Sequence, residues 1–110
     1  MGQQLNLSDT QRATANIYVK YLSYQGFVGV CGTIDGSQDL ATLLTNWQQA
    51  NQAGIEQGQK ILRSHYKSNN LNFKKTFDAK LHKEMSYFDS LNLAGQKEHC
   101  HKLAYYLQSH

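Results

Sequence analysis

The chain has 110 residues, 40% of them hydrophobic and 17% charged, with 11 Lys and Arg against 8 Asp and Glu for a formal charge of +3. That length supports one domain around one core. No apolar run approaches the roughly 20 residues that cross a bilayer, so a multidomain chain and a transmembrane segment within it are both excluded, and no signal peptide is visible. Proline is absent where about 5% is usual, which favours helices joined by short connections.

Residues 1–7 read as a flexible lead-in to a single helical domain over 1–110. Met1-Gly2 ahead of a polar segment is what a mature secreted chain with added leading residues would show. Ser8-Asp9-Thr10-Gln11 has capping-box spacing, which predicts a first helix from Asp9. Ala13, Ile17, Tyr21, Tyr24, Phe27 or Val28, and Cys31 continue it at helical spacing. Phe27-Val28-Gly29-Val30 also suits a short extended piece, and Gly32 suits the C′ position.

From Ser37 to Ser68 the spacing predicts one long amphipathic second helix. Leu40, Leu43, Leu44, Trp47, Ala50, Gly54, Ile55, Gly58, Ile61, Leu62 and His65 form its apolar stripe. Asp35 or Ser37 can cap its start, and Asn69-Asn70 can stop it. Such a helix would run roughly 45–50 Å at 1.5 Å per residue. Ala50, Gly54 and Gly58 share one face. Each glycine costs about 1 kcal/mol against alanine in a helix interior, so something must approach the backbone there. That seam is read either as close packing inside the domain or as the contact of a homodimer.

The third helix, capped by Asn70 or Asn72, carries Phe73, Phe77, Leu81, Met85 and Phe88 on one side, with Leu91 closing it. Lys74-Lys75 falls in its first turn, where the helix dipole prefers acids. The fourth begins near Leu93, with Ala94, Lys97, Cys100, Leu103, Ala104 and Leu107 inward. The fold class is therefore all-α, a four-helix up-down bundle with a long second helix.

Cys31 and Cys100 are the only cysteines. Without CxxC or zinc spacing, they are either one disulfide joining the first helix to the last or two buried thiols. A disulfide implies an oxidising compartment, periplasmic or extracellular.

No metal site is expected. His99-Cys100-His101 places neighbours about 100° apart on a helix, and His65 with His82 supplies only two ligands. Cys100 reads as inward-facing, unsuited to nucleophilic work, and no phosphate-cradling glycine loop is present. Enzymatic activity and cofactors are therefore not expected. Charge is the stronger signal. Arg12 and Lys20 stand against Asp9, Asp35, Asp39 and Glu56 in residues 1–56. From 60 to 83, Lys60, Arg63, Lys67, Lys74, Lys75, Lys80 and Lys83 face Asp78 alone. Arg63, Lys67, Lys74, Lys75, Lys80 and Lys83, set around the turn between the second and third helices, are the candidate anion site. The alternative is a solvated basic face. Tyr18, Tyr21, Tyr24, Tyr105 and Tyr106 either fill the rim of the core or form a protein contact surface.

The Cys31/Cys100 pair, the polar run from Asn46 to Gln52, and the run from Lys74-Lys75 to His82-Lys83 carry a resemblance of composition and helical pattern. The chain resembles the small helical exoproteins that intracellular Gram-negative bacteria export by type II secretion, the NttA-type proteins among them. The resemblance implies a secreted all-α dimer, a virulence factor that binds phosphoinositide head groups on host vacuole membranes. The functional expectation is a secreted, non-enzymatic module that docks phosphorylated anions at a membrane surface. The alternative is a periplasmic or secreted adaptor or inhibitor that binds a protein through its tyrosine-bearing faces. Nucleic acid is not an expected partner, since no nucleic-acid motif appears.

Overall fold

The computed structural model describes residues 7–34 and 39–109. It is all-helical among these residues: α1 Asp9–Ile34, α2 Leu40–Ala50, α3 Gln52–Ser68, α4 Phe73–Ser90 and α5 Leu93–Ser109. The described part measures 46 × 30 × 18 Å.

The start of α1 follows from its capping box. The Gln11 amide donates to Ser8 Oγ at 3.1 Å, and the Ser8 amide donates to Gln11 Oε1 at 3.0 Å, so two terminal donors are satisfied reciprocally. The helix continues through Phe27–Val30 and past Gly32 to Ile34. Gly32 is thus helical and not the C′ residue, and no extended piece forms. The caps proposed at Asp35 and Ser37 lie outside the described residues. Asp39 caps α2, accepting from the Thr42 amide at 3.2 Å and the Thr42 hydroxyl at 2.7 Å.

The expected long helix is divided, which makes five helices among the described residues in place of the four expected. Asn51 ends α2 and starts α3 with φ −115° and ψ 15°. Its amide is shared between the Trp47 and Gln48 carbonyls, and its side-chain Nδ2 also donates to Trp47 O at 2.9 Å. Asn51 thereby completes the hydrogen bonding of α2 with its own side chain, the competition that makes Asn a poor helix-interior residue. The ladder resumes at once, with Ile55 N donating to Asn51 O at 2.9 Å.

The division lets both pieces lie along α1, which is the central element. α1 packs against α2, α3 and α5. It meets α4 through Phe27 on Phe88 and Gly26 against Leu81 and Met85. Trp47 closes the α1–α2 contact, stacked on Tyr21 and edge-on to Tyr24. A continuous core runs through Phe27, Cys31, Leu40, Trp47, Ile55, Phe88, Cys100, Leu103, Ala104 and Leu107. Fully burying one such aliphatic or aromatic side chain contributes about 1.5–3 kcal/mol. The Cys31–Cys100 disulfide, with Cα atoms 5.7 Å apart, fastens the end of α1 to the middle of α5.

The seam residues divide. Gly54 and Gly58 face α1, where added methyl groups would meet Ile17 and Thr14, whereas Ala50 is exposed. Gly58 is buried against α1 and Gly54 is half-buried there, which accounts for both glycines by close packing inside the domain.

Candidate functional site

Two concave surfaces carry polar chemistry. The first is the α3–α4 turn. α3 closes in a Schellman-type turn: Leu71 N donates to Tyr66 O at 2.8 Å and Asn70 N to Lys67 O at 3.1 Å. Asn70 takes the left-handed conformation this requires, at φ 57°, which asparagine tolerates better than most residues. The turn leaves a cleft of about 420 Å³ lined by Arg63, Tyr66, Lys67, Asn70, Leu71, Asn72 and Phe73. Phe73 forms its back wall, packed edge-on against Tyr66 and tilted against Tyr18. Leu71 projects at the tip, 53% exposed.

The six candidate cations are not equivalent. Arg63 and Lys67, one turn apart on α3, line this cleft, and neither has an ion pair among the described residues. Lys75 is exposed in the first turn of α4. Lys74 donates instead to Asp78 Oδ2 at 2.8 Å, which offsets its poor position at the positive end of the helix. Lys80 is held by Glu84 Oε2 at 2.5 Å. Lys83 lines a different cavity. The α4 N-terminus itself is partly occupied, because Asn72 Oδ1 accepts from the Lys75 amide at 3.1 Å.

The second surface, not singled out by the sequence, is a cavity of about 610 Å³ between α1, α4 and α5. Phe27, Cys31 and Leu103 supply its apolar wall. Lys83, Lys102, Tyr87 and Tyr106 also line it, and Tyr87 and Tyr106 are strongly exposed. Ser23, Tyr24, Glu84 and His99 complete the lining. Ser23 Oγ, Glu84 Oε1 and His99 Nδ1 are shielded from solvent and have no hydrogen-bond partner among the described residues. Buried polar atoms without partners are uncommon, and these three belong to residues that line one cavity. His99 is wedged between the rings of Phe27 and Phe88, at 4.9 and 5.2 Å. That burial, and then the charge of Lys102, lower its pKa below the usual 6.5. Burial, and after it Tyr106, raise the Tyr24 phenol above its ordinary range.

Ser23, His99 and Glu84 have the residue types of a hydrolytic relay but not its geometry. A nucleophile and its base must lie within hydrogen-bond reach, and Ser23 Oγ has no hydrogen-bond partner among the described residues. These residues come from three helices and share no spacing that periodicity could reveal. The only local hint was His99 beside the inward-facing Cys100. Among the described residues, no three His, Cys, Asp or Glu side chains are grouped to hold a metal, and no helix is long and apolar enough to cross a membrane. Comparisons with protein-family models, curated proteins and solved structures find no match to this chain.

Proposed function

We propose that this chain is a non-enzymatic binding module of an oxidising, extracytoplasmic compartment. Its α3–α4 turn docks phosphorylated anions, with phosphoinositide head groups at a membrane surface as the preferred ligand. The observation that carries this reading is the shared cleft of Arg63 and Lys67, two cations without carboxylate partners among the described residues, beside the exposed Leu71. Arg presents a planar fork suited to phosphate and Lys a flexible point charge. An apolar side chain at the same tip can enter the headgroup layer. Lys75 adds long-range attraction from across the turn. Lys74 and Lys80 contribute less, because each already faces a carboxylate. Secretion fits the Cys31–Cys100 bridge, and a role at host membranes rests on the resemblance to type II-secreted exoproteins. The short α3–α4 and α4–α5 connections suit an up-and-down path. The packing of Gly54 and Gly58 against α1 supports the close-packing reading of that seam over a homodimer contact.

Co-sedimentation with vesicles tests the proposal. Phosphatidylcholine vesicles carrying phosphatidylinositol phosphate should retain the protein, and phosphatidylcholine alone should not. Each basic residue near an anionic surface is worth about 1 kcal/mol, so Arg63→Glu with Lys67→Glu should abolish retention while Lys74→Ala changes little. Retention that ignores the Arg63/Lys67 pair refutes the reading.

The exposure of Tyr105 and Tyr106, at 67% and 54%, favours a second reading as a protein adaptor. Tyr18, Tyr21 and Tyr24 are partly buried, with ring contacts to Phe73 and Trp47. A partner would therefore meet the α5 tyrosines, and its binding would be insensitive to salt.

A further inference from the structure

We propose that the cavity between α1, α4 and α5 binds a small amphipathic acid. Its apolar body would lie on Phe27 and Leu103, its acid group between Lys83 and Lys102, and its own N–H or O–H would be donated to Glu84. This site is separate from the α3–α4 turn and shares no lining residue with it.

Three features converge on that ligand class. The volume, about 610 Å³, lies within the roughly 300–1,000 Å³ of small-molecule sites. The wall combines Phe27, Leu103 and Cys31 with a few polar groups, the composition that orients a small ligand without a large polar penalty. The charge pattern is then selective. Lys83 has no ion pair among the described residues, and Lys102 holds Glu98 only loosely, at 3.8 Å with both side chains exposed. An entering acid therefore finds two available ammonium groups.

The shielded atoms give the donor requirement. Glu84 Oε2 is engaged by Lys80, but Oε1 accepts nothing among the described residues. Ser23 Oγ and His99 Nδ1 are equally without partners. A polar atom shielded from water and unbonded is unfavourable in the free protein. A ligand that parts the flanking side chains and supplies partners relieves that cost, which an apolar ligand of the same size cannot do. A carboxylate atom accepts only, so Glu84 selects for a ligand that carries a donor. A flat exposed patch would impose neither condition.

The probe is 8-anilinonaphthalene-1-sulfonate, which carries an aromatic body, one acid group and one N–H. It is titrated into the oxidised full chain and followed by fluorescence, with amide chemical shifts recorded in parallel. The expected result is one saturable site, displaced by N-acetyltryptophan, with the largest amide shifts at Ser23, His99 and Leu103. Lys83→Glu and Lys102→Glu should each weaken binding about tenfold, the scale of one charge-assisted hydrogen bond. Arg63→Glu with Lys67→Glu should leave it unchanged. Thermal melts of each variant confirm that the fold persists. Non-saturable binding, or binding lost with the Arg63/Lys67 pair and kept in the Lys83 and Lys102 variants, overturns the proposal. Because the two sites share no residue, vesicle retention and probe binding can fail independently.

Discussion

A methyl group placed on Gly58 would lie 2.5 Å from the carbonyl oxygen of Thr14. That separation is well inside contact distance, and the atom it meets is backbone, which cannot rotate away. Tyr18 Cβ and the Ala15 Cα close the same space at 3.0 and 3.3 Å. α1 and α3 therefore touch through Gly58, and the glycine's poor helix propensity is the cost of that approach. Alanine would recover about 1 kcal/mol of propensity but overpack the contact by about 1–3 kcal/mol. With a rigid obstacle the upper end applies. Gly58→Ala should be destabilising by about 1–2 kcal/mol, lowering the melting temperature by roughly 5 °C. Gly29, exposed and with nothing within 4 Å of its would-be Cβ, should behave in the opposite way. Gly29→Ala should stabilise by up to about 1 kcal/mol, and thermal melts of the two variants side by side would reveal the contrast.

The disulfide closes a loop of 69 residues of sequence separation. On chain-entropy grounds a loop of that length stabilises by about 4 kcal/mol, a large share of the roughly 5–15 kcal/mol that holds a domain together. Cys31 and Cys100 are each 1% exposed, so reductant should act slowly on the folded chain and faster once it opens. Urea denaturation with and without reductant measures the difference. A shift in the unfolding free energy below about 1 kcal/mol would show that the bridge constrains little.

The helical surface of this protein was legible where local chemistry decides it. Ser8 with Gln11, Asn70 at the α3 stop, and Asn72 ahead of α4 each act through hydrogen bonds spanning a few residues, so their spacing in the chain is the whole signal. The break at Asn51 was not legible. Its immediate neighbours, Ala50 and Gln52, are neither glycine nor proline, and the apolar stripe runs through it from Trp47 to Ile55. The division is made by the Asn51 side chain and by the pull of α1 on both segments, and only the first leaves a trace in sequence. The candidate anion site was legible as composition but not as geometry. Lys74, Lys80 and Lys83 look alike in the sequence, yet helical phase sends Lys83 toward the other cavity, and i,i+4 carboxylates take Lys74 and Lys80. The cavity that holds Ser23, Glu84 and His99 depends on three helices meeting, which no local pattern encodes.

Asn72 couples the candidate docking turn to the stability of α4. Its Oδ1 accepts from the Lys75 amide at 3.1 Å, and removing such a cap costs about 1 kcal/mol. Asn72→Ala should therefore lower stability by about that amount, while Asn72→Asp should preserve it. The two variants also separate electrostatics from order. The aspartate adds a negative charge inside the cleft shared by Arg63 and Lys67, so it should weaken vesicle retention with the fold intact. Retention unchanged in Asn72→Asp would mean that the cleft is not where the anion sits.

His99 gives the stability a pH dependence of defined sign. Its pKa is lowered in the folded chain by burial and then by Lys102, from an ordinary 6.5. As pH falls through 6.5, the unfolded chain takes up a proton at this residue that the folded chain still refuses. Unfolding then binds protons, so stability declines as acidity increases. The loss begins near pH 6.5, continues until the folded imidazole also protonates, and adds nothing further below that point. Above pH 7 the residue contributes its full share. His99→Phe, which keeps an aromatic ring against Phe27 and Phe88, should flatten this part of the profile, whereas His82→Gln, at an exposed position, should leave it in place. Urea midpoints measured from pH 7.5 to 5 on the three proteins provide the test. If the wild type and His99→Phe decline in parallel, the protonation that weakens the fold lies elsewhere.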